Sequence, residues 1–358
     1  NHIEDTLVVS RLVNPVLTGG HSLENWGYIL YPNDVDKRKA QQPDSWENYT
    51  EEMGKYCIQD VELNADVYYK LLEQVENFSQ ESVDLEHGVA KIVKEQEQNG
   101  FMLDEKKATL LAAKLNSKMV EIEKKVHETF KPKWVDDKLV TPKLRKDGTL
   151  SKVGLTNEEM SKCLKTNNFK PFMRQKWVTF NLGSRKQIGE YLIDFGWKPT
   201  KFTPTGQPIV DETTLEKVKN IPEATLIAEF MMLQKRVAQV SSWLELSKES
   251  RVHGFVIPNG AITGRMTHRN PNVAQTPSSS KPYGIDCRKC WTVPERYKLV
   301  GVDASGLELR VLAHYMKNKE YVNEIINGDI HTTNQNLAGL RSRSQAKTFI
   351  YALIYGAG

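Results

Sequence analysis

Arg343, Lys347, Tyr351 and Tyr355 recur at every fourth position in Arg343-Ser-Gln-Ala-Lys-Thr-Phe-Ile-Tyr-Ala-Leu-Ile-Tyr-Gly356. On a helix, that spacing lays two cations and two phenol rings along one slowly rotating side, in the order charge, charge, ring, ring. With ~1.5 Å of rise per residue, Arg343 and Tyr351 stand ~12 Å apart along the axis, roughly the reach of a nucleoside triphosphate from γ-phosphate to sugar. A guanidinium fork suits phosphate oxygens, an ammonium supplies a point charge, and a ring offers a stacking face. The spacing alone equally describes an amphipathic helix with snorkelling cations and core tyrosines.

A second segment makes the first more specific: Tyr297-Lys-Leu-Val-Gly-Val-Asp303-Ala-Ser-Gly-Leu-Glu308-Leu-Arg310. Leu299 to Val302 is an apolar run of strand length, and Asp303 follows at its carboxyl end, where a carboxylate is poised for a ligand. Ser305-Gly-Leu-Glu308 fits a capping box, and Leu307, Val311, Leu312 and Tyr315 continue at helical spacing, so Glu308 also has a purely structural explanation. Together the two segments pair a strand-end Asp suited to a metal ion with a helix suited to phosphates.

The combination resembles motifs A and B of family-A DNA polymerases, the bacteriophage replicative enzymes in particular. Further blocks are similar to that family in the family's order: Tyr56-Cys-Ile-Gln-Asp60, Leu233-Gln-Lys235-Arg236, Pro258-Asn-Gly-Ala-Ile-Thr-Gly-Arg265-Met-Thr-His268 and Gly328-Asp-Ile-His331-Thr. The resemblance implies an α+β, mostly helical fold, a right-hand polymerase preceded by part of a ribonuclease-H-like 3′–5′ exonuclease domain. The implied division is residues 1–80 for the C-terminal part of the exonuclease and 81–252 for the thumb with an insertion at 131–178. Residues 253–316 would form the palm, and 317–358 the start of the fingers.

It also implies roles. Asp303 and the Ala304 carbonyl would hold Mg²⁺, one of two ions in the active site. His331, Arg343 and Lys347 would bind the triphosphate, with Lys347 able to protonate the leaving pyrophosphate. Glu308 would bond Tyr351 and close the space a ribose 2′ hydroxyl requires, and Tyr355 would stack near the templating base. Arg265, with His268 and Gln275 nearby, would test the minor groove at the primer terminus. Lys235, Arg236, Ser184 and Arg185 would meet the duplex backbone. Asp60 would be an exonuclease metal ligand, with Tyr56 orienting the attacking water. Asp5, also in a family-like block, reads as structural. In the phage enzymes the thumb insertion binds host thioredoxin; here it is shorter, and a solvated basic loop contacting phosphates would also suit it.

Several elements must position these groups. Val89, Ile92, Val93 and Gln96 form a helical stripe closed by Asn99-Gly100, and Asp104 opens a ~40 Å helix with Leu111, Leu115, Met119, Ile122, Val126 and Phe130 on one face. Pro132, Pro142, Gly148, Gly154 and Pro171 break the pattern between 131 and 178. Small residues around Ser184, ahead of a helix, would leave amides for a phosphate. A long helix over 222–246 carries Lys235 and Arg236, and Pro258-Asn-Gly260 is the turn of a hairpin.

At 358 residues the chain has room for two or three domains. Its net charge of +4 is unevenly spread: residues 131–186 hold 14 Lys plus Arg against 5 Asp plus Glu, leaving the remainder net acidic. No apolar run approaches ~18 residues, so no membrane-spanning helix is expected; the resemblance implies the cytoplasm of an infected bacterial host as the place of action. Cys287-Arg-Lys-Cys290 lacks a second pair and reads as two reduced thiols.

The family's Asp-x-Glu exonuclease motif and its His-Asp-Glu polymerase motif are not in this sequence. The expectation is thus an internal stretch that alone neither extends primers nor proofreads. Two other classes stand beside the DNA polymerase reading: a catalytically incomplete DNA-binding piece, and a single-subunit RNA polymerase, against which Glu308 and the exonuclease remnant argue.

Overall fold

The structure, a computed structural model, describes residues 4–356 apart from 39–41, 44 and 77. The chain divides into two compact units, residues 1–295 and 296–358. Close to half of it is helical, with eight short strands among the described residues.

The first unit opens with α1 (Thr6–Val13), α2 (Leu23–Leu30), α3 (Glu51–Val75) and α4 (Gln80–Asn99). Val9, Trp26, Val67, Leu71 and Val83 form their common core. Asp5 caps α1, its carboxylate accepting from the Leu7 amide at 2.9 Å, the structural role expected of it. Helix α4 ends at Gly100, whose φ of +62° a side chain would strain. There a Cβ would also lie 2.8 Å from the His253 ring. The expected stripe on α4 is only partly right: Val93 is buried, whereas Ile92 is two-thirds exposed. The helix meets its neighbours, α1 and the later strand at 255–257, along too narrow a side to cover both.

Strand β1 (Phe101–Leu103) leads into α5 (Glu105–Thr129), capped by Asp104 through the Lys107 amide. Leu111, Leu115, Ile122, Val126 and Phe130 are buried as their spacing predicts. Residues 131–178, expected as a loop, are ordered. Strands β2 (Lys133–Val140) and β3 (Phe172–Val178) pair antiparallel, and α6 (Asn157–Thr166) lies between them in the chain. The prolines and glycines sit outside these elements, where they interrupt no ladder bond.

Then come α7 (Arg185–Asp194), α8 (Glu212–Leu215) and α9 (Pro222–Glu245), the last beginning with Pro at its first turn. Helices α5 and α9 pack along their lengths, and Ser247 just past α9 donates to Glu105 at the start of α5 (2.7 Å), so they run antiparallel. Leu115, Phe130, Phe180, Leu192, Ile227, Leu233 and Trp243 fill the core between them.

Strands β4 (Ser247–Lys248) and β5 (Arg251–Val252), β1 and the later β8 (Trp291–Thr292) make one antiparallel sheet in the order β4-β5-β1-β8. The hairpin β6 (Phe255–Ile257) and β7 (Thr267–Arg269) flanks the Pro258-Asn-Gly260 segment as expected, although residues 258–266 all belong to its connection. Helix α10 (Gly284–Arg288) follows, and Cys287 and Cys290 are buried in the main core, where burial raises both thiols, Cys290 to about 11.

The second unit comprises α11 (Leu307–Met316), α12 (Lys319–Asn327), α13 (Ile330–Leu337) and α14 (Arg343–Ile354). Two expectations fail here. Leu299–Val302 is not a strand: Val300 and Val302 are largely exposed, and no described strand pairs with them. An apolar run becomes a strand only where neighbours complete its ladder. Nor is there a capping box, because Gly306, in the left-handed region, is the cap residue and makes no side-chain cap bond.

Candidate nucleotide and nucleic-acid sites

Helix α14 forms as its sequence requires. Ser342 caps it through the Gln345 amide at 3.2 Å, and its last turn closes at Tyr355, whose amide returns to the Tyr351 carbonyl. It packs against α13, which Asp329 caps through the His331 amide (3.2 Å). This packing brings His331 to Tyr351, ring centroids 6.2 Å apart. Three of the predicted phosphate ligands therefore share one neighbourhood. Burial and then the charge of Arg343, joined by that of Lys347, push the His331 imidazole below its usual range. Its Nδ1 is buried without a hydrogen-bond partner. A neutral ring beside two cations, with an unsatisfied ring nitrogen, is an arrangement that a phosphate oxygen would complete.

Sequence reasoning missed one member of this group. Both arms of the Arg343 fork donate to Asp329, Nε to Oδ2 at 2.6 Å and Nη2 to Oδ1 at 2.9 Å. Thr332 donates to the same carboxylate at 2.8 Å. Arg343 and these donors hold Asp329 well below the usual carboxylate range. The signal was in the sequence, in an Asp beside His331 at a cap position, but the Arg partner is 14 residues away and only folding reveals it.

Glu308 has a partner that the sequence reading did not name. Its Oε1 accepts from the Tyr355 hydroxyl at 3.2 Å, joining the start of α11 to the end of α14. Burial, and then the nearby Glu308 charge, raise the Tyr351 phenol, so it stays a protonated donor. The i, i+4 spacing that put Tyr351 and Tyr355 on one side left open which of them reaches the carboxylate. Asp303 and Ala304 are exposed, and Arg310 Nε donates to the Ser305 carbonyl at 2.8 Å, holding the turn between them and α11.

In the first unit, Arg236 and Lys235 stand side by side on α9. Arg236 Nε donates to the Pro282 carbonyl (3.4 Å), and Lys235 pairs with Glu212 at 2.6 Å. One turn on, Gln239 donates to the Gln275 carbonyl at 2.9 Å, so the fold does gather Arg236 and Gln275 along one helix edge. Arg265 is exposed in the connection of the β6–β7 hairpin, its carbonyl accepting from the Ala261 amide, and His268 on β7 is paired with Val256. Ser184 caps α7, but its own amide and that of Gly183 already bond Asn181, so they are not free for phosphate. Arg185, the first residue of α7, is exposed.

Tyr56 and Asp60 lie one turn apart on α3. Asp60 Oδ1 is buried with no hydrogen-bond partner, while the Tyr56 ring packs edge-on against Trp46 at 5.5 Å. Among the described residues, no group of three or more His, Cys, Asp and Glu is arranged to hold a metal ion.

Residues 151–358 match the profile of DNA polymerase family A, and the chain belongs to that family. The DNA-directed DNA polymerases of Escherichia phage T7 and Enterobacteria phage T3 are 35% and 36% identical to it, over 99% of this chain and 63% of theirs. The chain thus spans somewhat less than two thirds of these phage relatives. DNA polymerase I of Helicobacter pylori strain J99 is 36% identical over 51% of this chain and 21% of its own. The POL domain of Pol1 from M. smegmatis, solved with DNA primer-template and dNTP, superposes with a TM-score of 0.70 over 98% of this chain and 54% of that one. At 17% identity, that likeness concerns the fold alone.

Proposed function

We propose that the protein carrying this chain is a replicative, template-directed DNA polymerase acting in the cytoplasm of a phage-infected bacterium, adding dNTPs to a primer 3′ end. The observation that carries this reading is the convergence of His331, Arg343, Lys347 and Tyr351 where α13 packs on α14. In this reading residues 81–252 are the thumb, 253–316 the palm and 317–358 the start of the fingers. Residues 1–80 are the end of a 3′–5′ exonuclease domain.

Arg343 and Lys347 hold the triphosphate, and the unsatisfied His331 ring takes a further phosphate oxygen. Asp329 takes the Nε and Nη2 edge of Arg343 and so orients the guanidinium, leaving its Nη1 edge for a phosphate. Lys347, as an ammonium against the phosphates, supplies the proton that the departing pyrophosphate needs. Glu308, anchored by Tyr355, stands beside Tyr351 and excludes a ribose 2′ hydroxyl. Tyr355 lies near the templating base. Asp303 and the Ala304 carbonyl are hard oxygen donors that fit Mg²⁺, an ion that takes its other ligands from water and substrate phosphates. When bound, the metal would neutralise triphosphate charge.

Along the thumb, Lys235, Arg236 and Arg185 meet the duplex backbone, while Arg265, His268 and Gln275 face the primer terminus. The orphaned Asp60 oxygen supports a cation ligand in the exonuclease, with Tyr56 orienting water. Host thioredoxin is the partner that the phage resemblance would place on the 131–178 insertion.

Primer extension by the protein from the complete reading frame tests the reading. Template-dictated incorporation, abolished by Asp303→Ala, is expected. Nucleotide addition indifferent to the template, or none at all, would overturn it.

A further inference from the structure

The β2–β3 ribbon carries a feature that the proposed roles leave unassigned. Trp134 and Trp177 are direct cross-strand partners, ring centroids 5.4 Å apart at 61°. Their exposures are 62% and 56%. Two opposed indoles left this open forgo burial that each would otherwise gain. Side-chain alternation puts Gln175 and Met173 on the same face as Trp177, with Leu139 opposite Met173. Gln175 donates to Asp136 at 3.1 Å between the aromatic and aliphatic pairs.

The other face anchors the ribbon. Val140 is buried there, and Arg174 forks onto Glu159 of α6. The indoles therefore stand on a held platform that faces outward.

Charge decides what it fits. Residues 131–178 hold 12 Lys plus Arg against 5 Asp plus Glu. Lys143, Arg145 and Lys146, which follow β2 in the chain, make no ion pair among the described residues. Exposed aromatic rings on an insertion of net positive charge are the composition of a surface that stacks bases and follows phosphates. A polar Gln–Asp pair interrupting the strip suits a protein partner less well, because it would be buried by docking.

We propose that this face binds unpaired DNA, with bases stacking on Trp134 and Trp177 and the backbone running past the lysines. A duplex keeps its base faces covered, so preference for a single strand is the signature. The proposal needs no catalytic activity.

The test is fluorescence anisotropy of labelled oligo(dT) of about 20 nucleotides, and of a blunt duplex of the same length, with this chain. Trp134→Ala, Trp177→Ala, the double variant and Trp177→Phe are compared, with thermal unfolding as the check on folding. Each alanine variant should bind oligo(dT) roughly fivefold to a hundredfold more weakly, since each removes one stacking platform. The salt slope and duplex binding should stay unchanged, and phenylalanine should restore most of the affinity. A double variant that binds oligo(dT) like the unaltered protein would overturn the proposal and return the face to a protein partner. Equal losses for duplex and single strand would overturn it too. Primer extension is scored separately, so failure here leaves the polymerase reading standing, and the converse holds.

Discussion

Tyr351 and Tyr355 are one helical turn apart and chemically identical, yet the fold gives them different partners. Tyr355 bonds Glu308, while Tyr351 packs against His331. Sugar selection should register the difference in two ways. If Tyr351 lies at the sugar, as proposed, its hydroxyl would fill the space that a substrate 3′ hydroxyl otherwise occupies, and dideoxynucleotides should be tolerated. Tyr351→Phe returns that space to the substrate, and a dideoxy analogue then forfeits a polar interaction of about 1–3 kcal/mol, roughly tenfold to a hundredfold in selectivity. Competitive single-nucleotide incorporation measures this, and an unchanged deoxy-to-dideoxy ratio would remove Tyr351 from the sugar. Glu308→Ala acts on the other side of the ring and should raise ribonucleotide use. Tyr355→Phe should do the same in weaker form, because it removes one partner of the Glu308 carboxylate without deleting the carboxylate. If Tyr355→Phe leaves the ribo-to-deoxy ratio untouched, the Tyr355–Glu308 bond plays no part in gating.

At the scale of elements, the insertion shows what sequence conveys and what it withholds. Its prolines and glycines suggested a loop, and only the pairing of two strands about 30 residues apart turns Lys133–Val140 and Phe172–Val178 into a ribbon. Local signals did exist: Thr156 and Glu159 form a reciprocal capping box, at 2.8 and 3.3 Å. Glu159 also accepts the Arg174 fork, and Arg174 lowers its carboxyl from 4.5 to about 2. A folded-state value below the unfolded one means that this pair stabilises the fold at and above pH ~4.5. The contribution is lost as pH falls from there toward 2.

Hydrogen exchange along β3 should therefore quicken across that acid window. Glu159→Gln should lower the stability of the ribbon by about 1–2 kcal/mol and erase the transition. An acid transition of unaltered size in the variant would assign it to other groups. Deletion of 131–178 is sterically simple, since Lys133 pairs with Val178 and brings the ends together. It should flatten the dependence of log duplex affinity on log salt by about 0.9 for each phosphate that the protein no longer neutralises. An unchanged slope would point to protein partners instead.

For the whole molecule, the long amphipathic helices were the legible part. The burial of Leu111, Leu115, Ile122 and Val126 follows from spacing, because a 25-residue helix averages over many neighbours. Short elements were not legible. Leu299–Val302 has the composition of a strand but no ladder partner among the described residues, and Ser305 has the spacing of a cap while Gly306 takes the position. That Arg343, Lys347 and Tyr351 share one helix was readable from their four-residue repeat. The link of that helix to Asp329 was not, because that ion pair depends on how α13 packs against α14. The central claim rests on this packed pair, so the most direct measurement is single-turnover incorporation of a templated dNTP by the protein of the complete reading frame, compared with its Lys347→Ala and Arg343→Ala variants. Lys347→Ala should slow the chemical step by about 10²–10⁴ fold, as loss of a general acid does. Arg343→Ala should chiefly weaken dNTP binding. Incorporation at the unaltered rate and affinity in both variants would contradict the assignment of α14 as the triphosphate site.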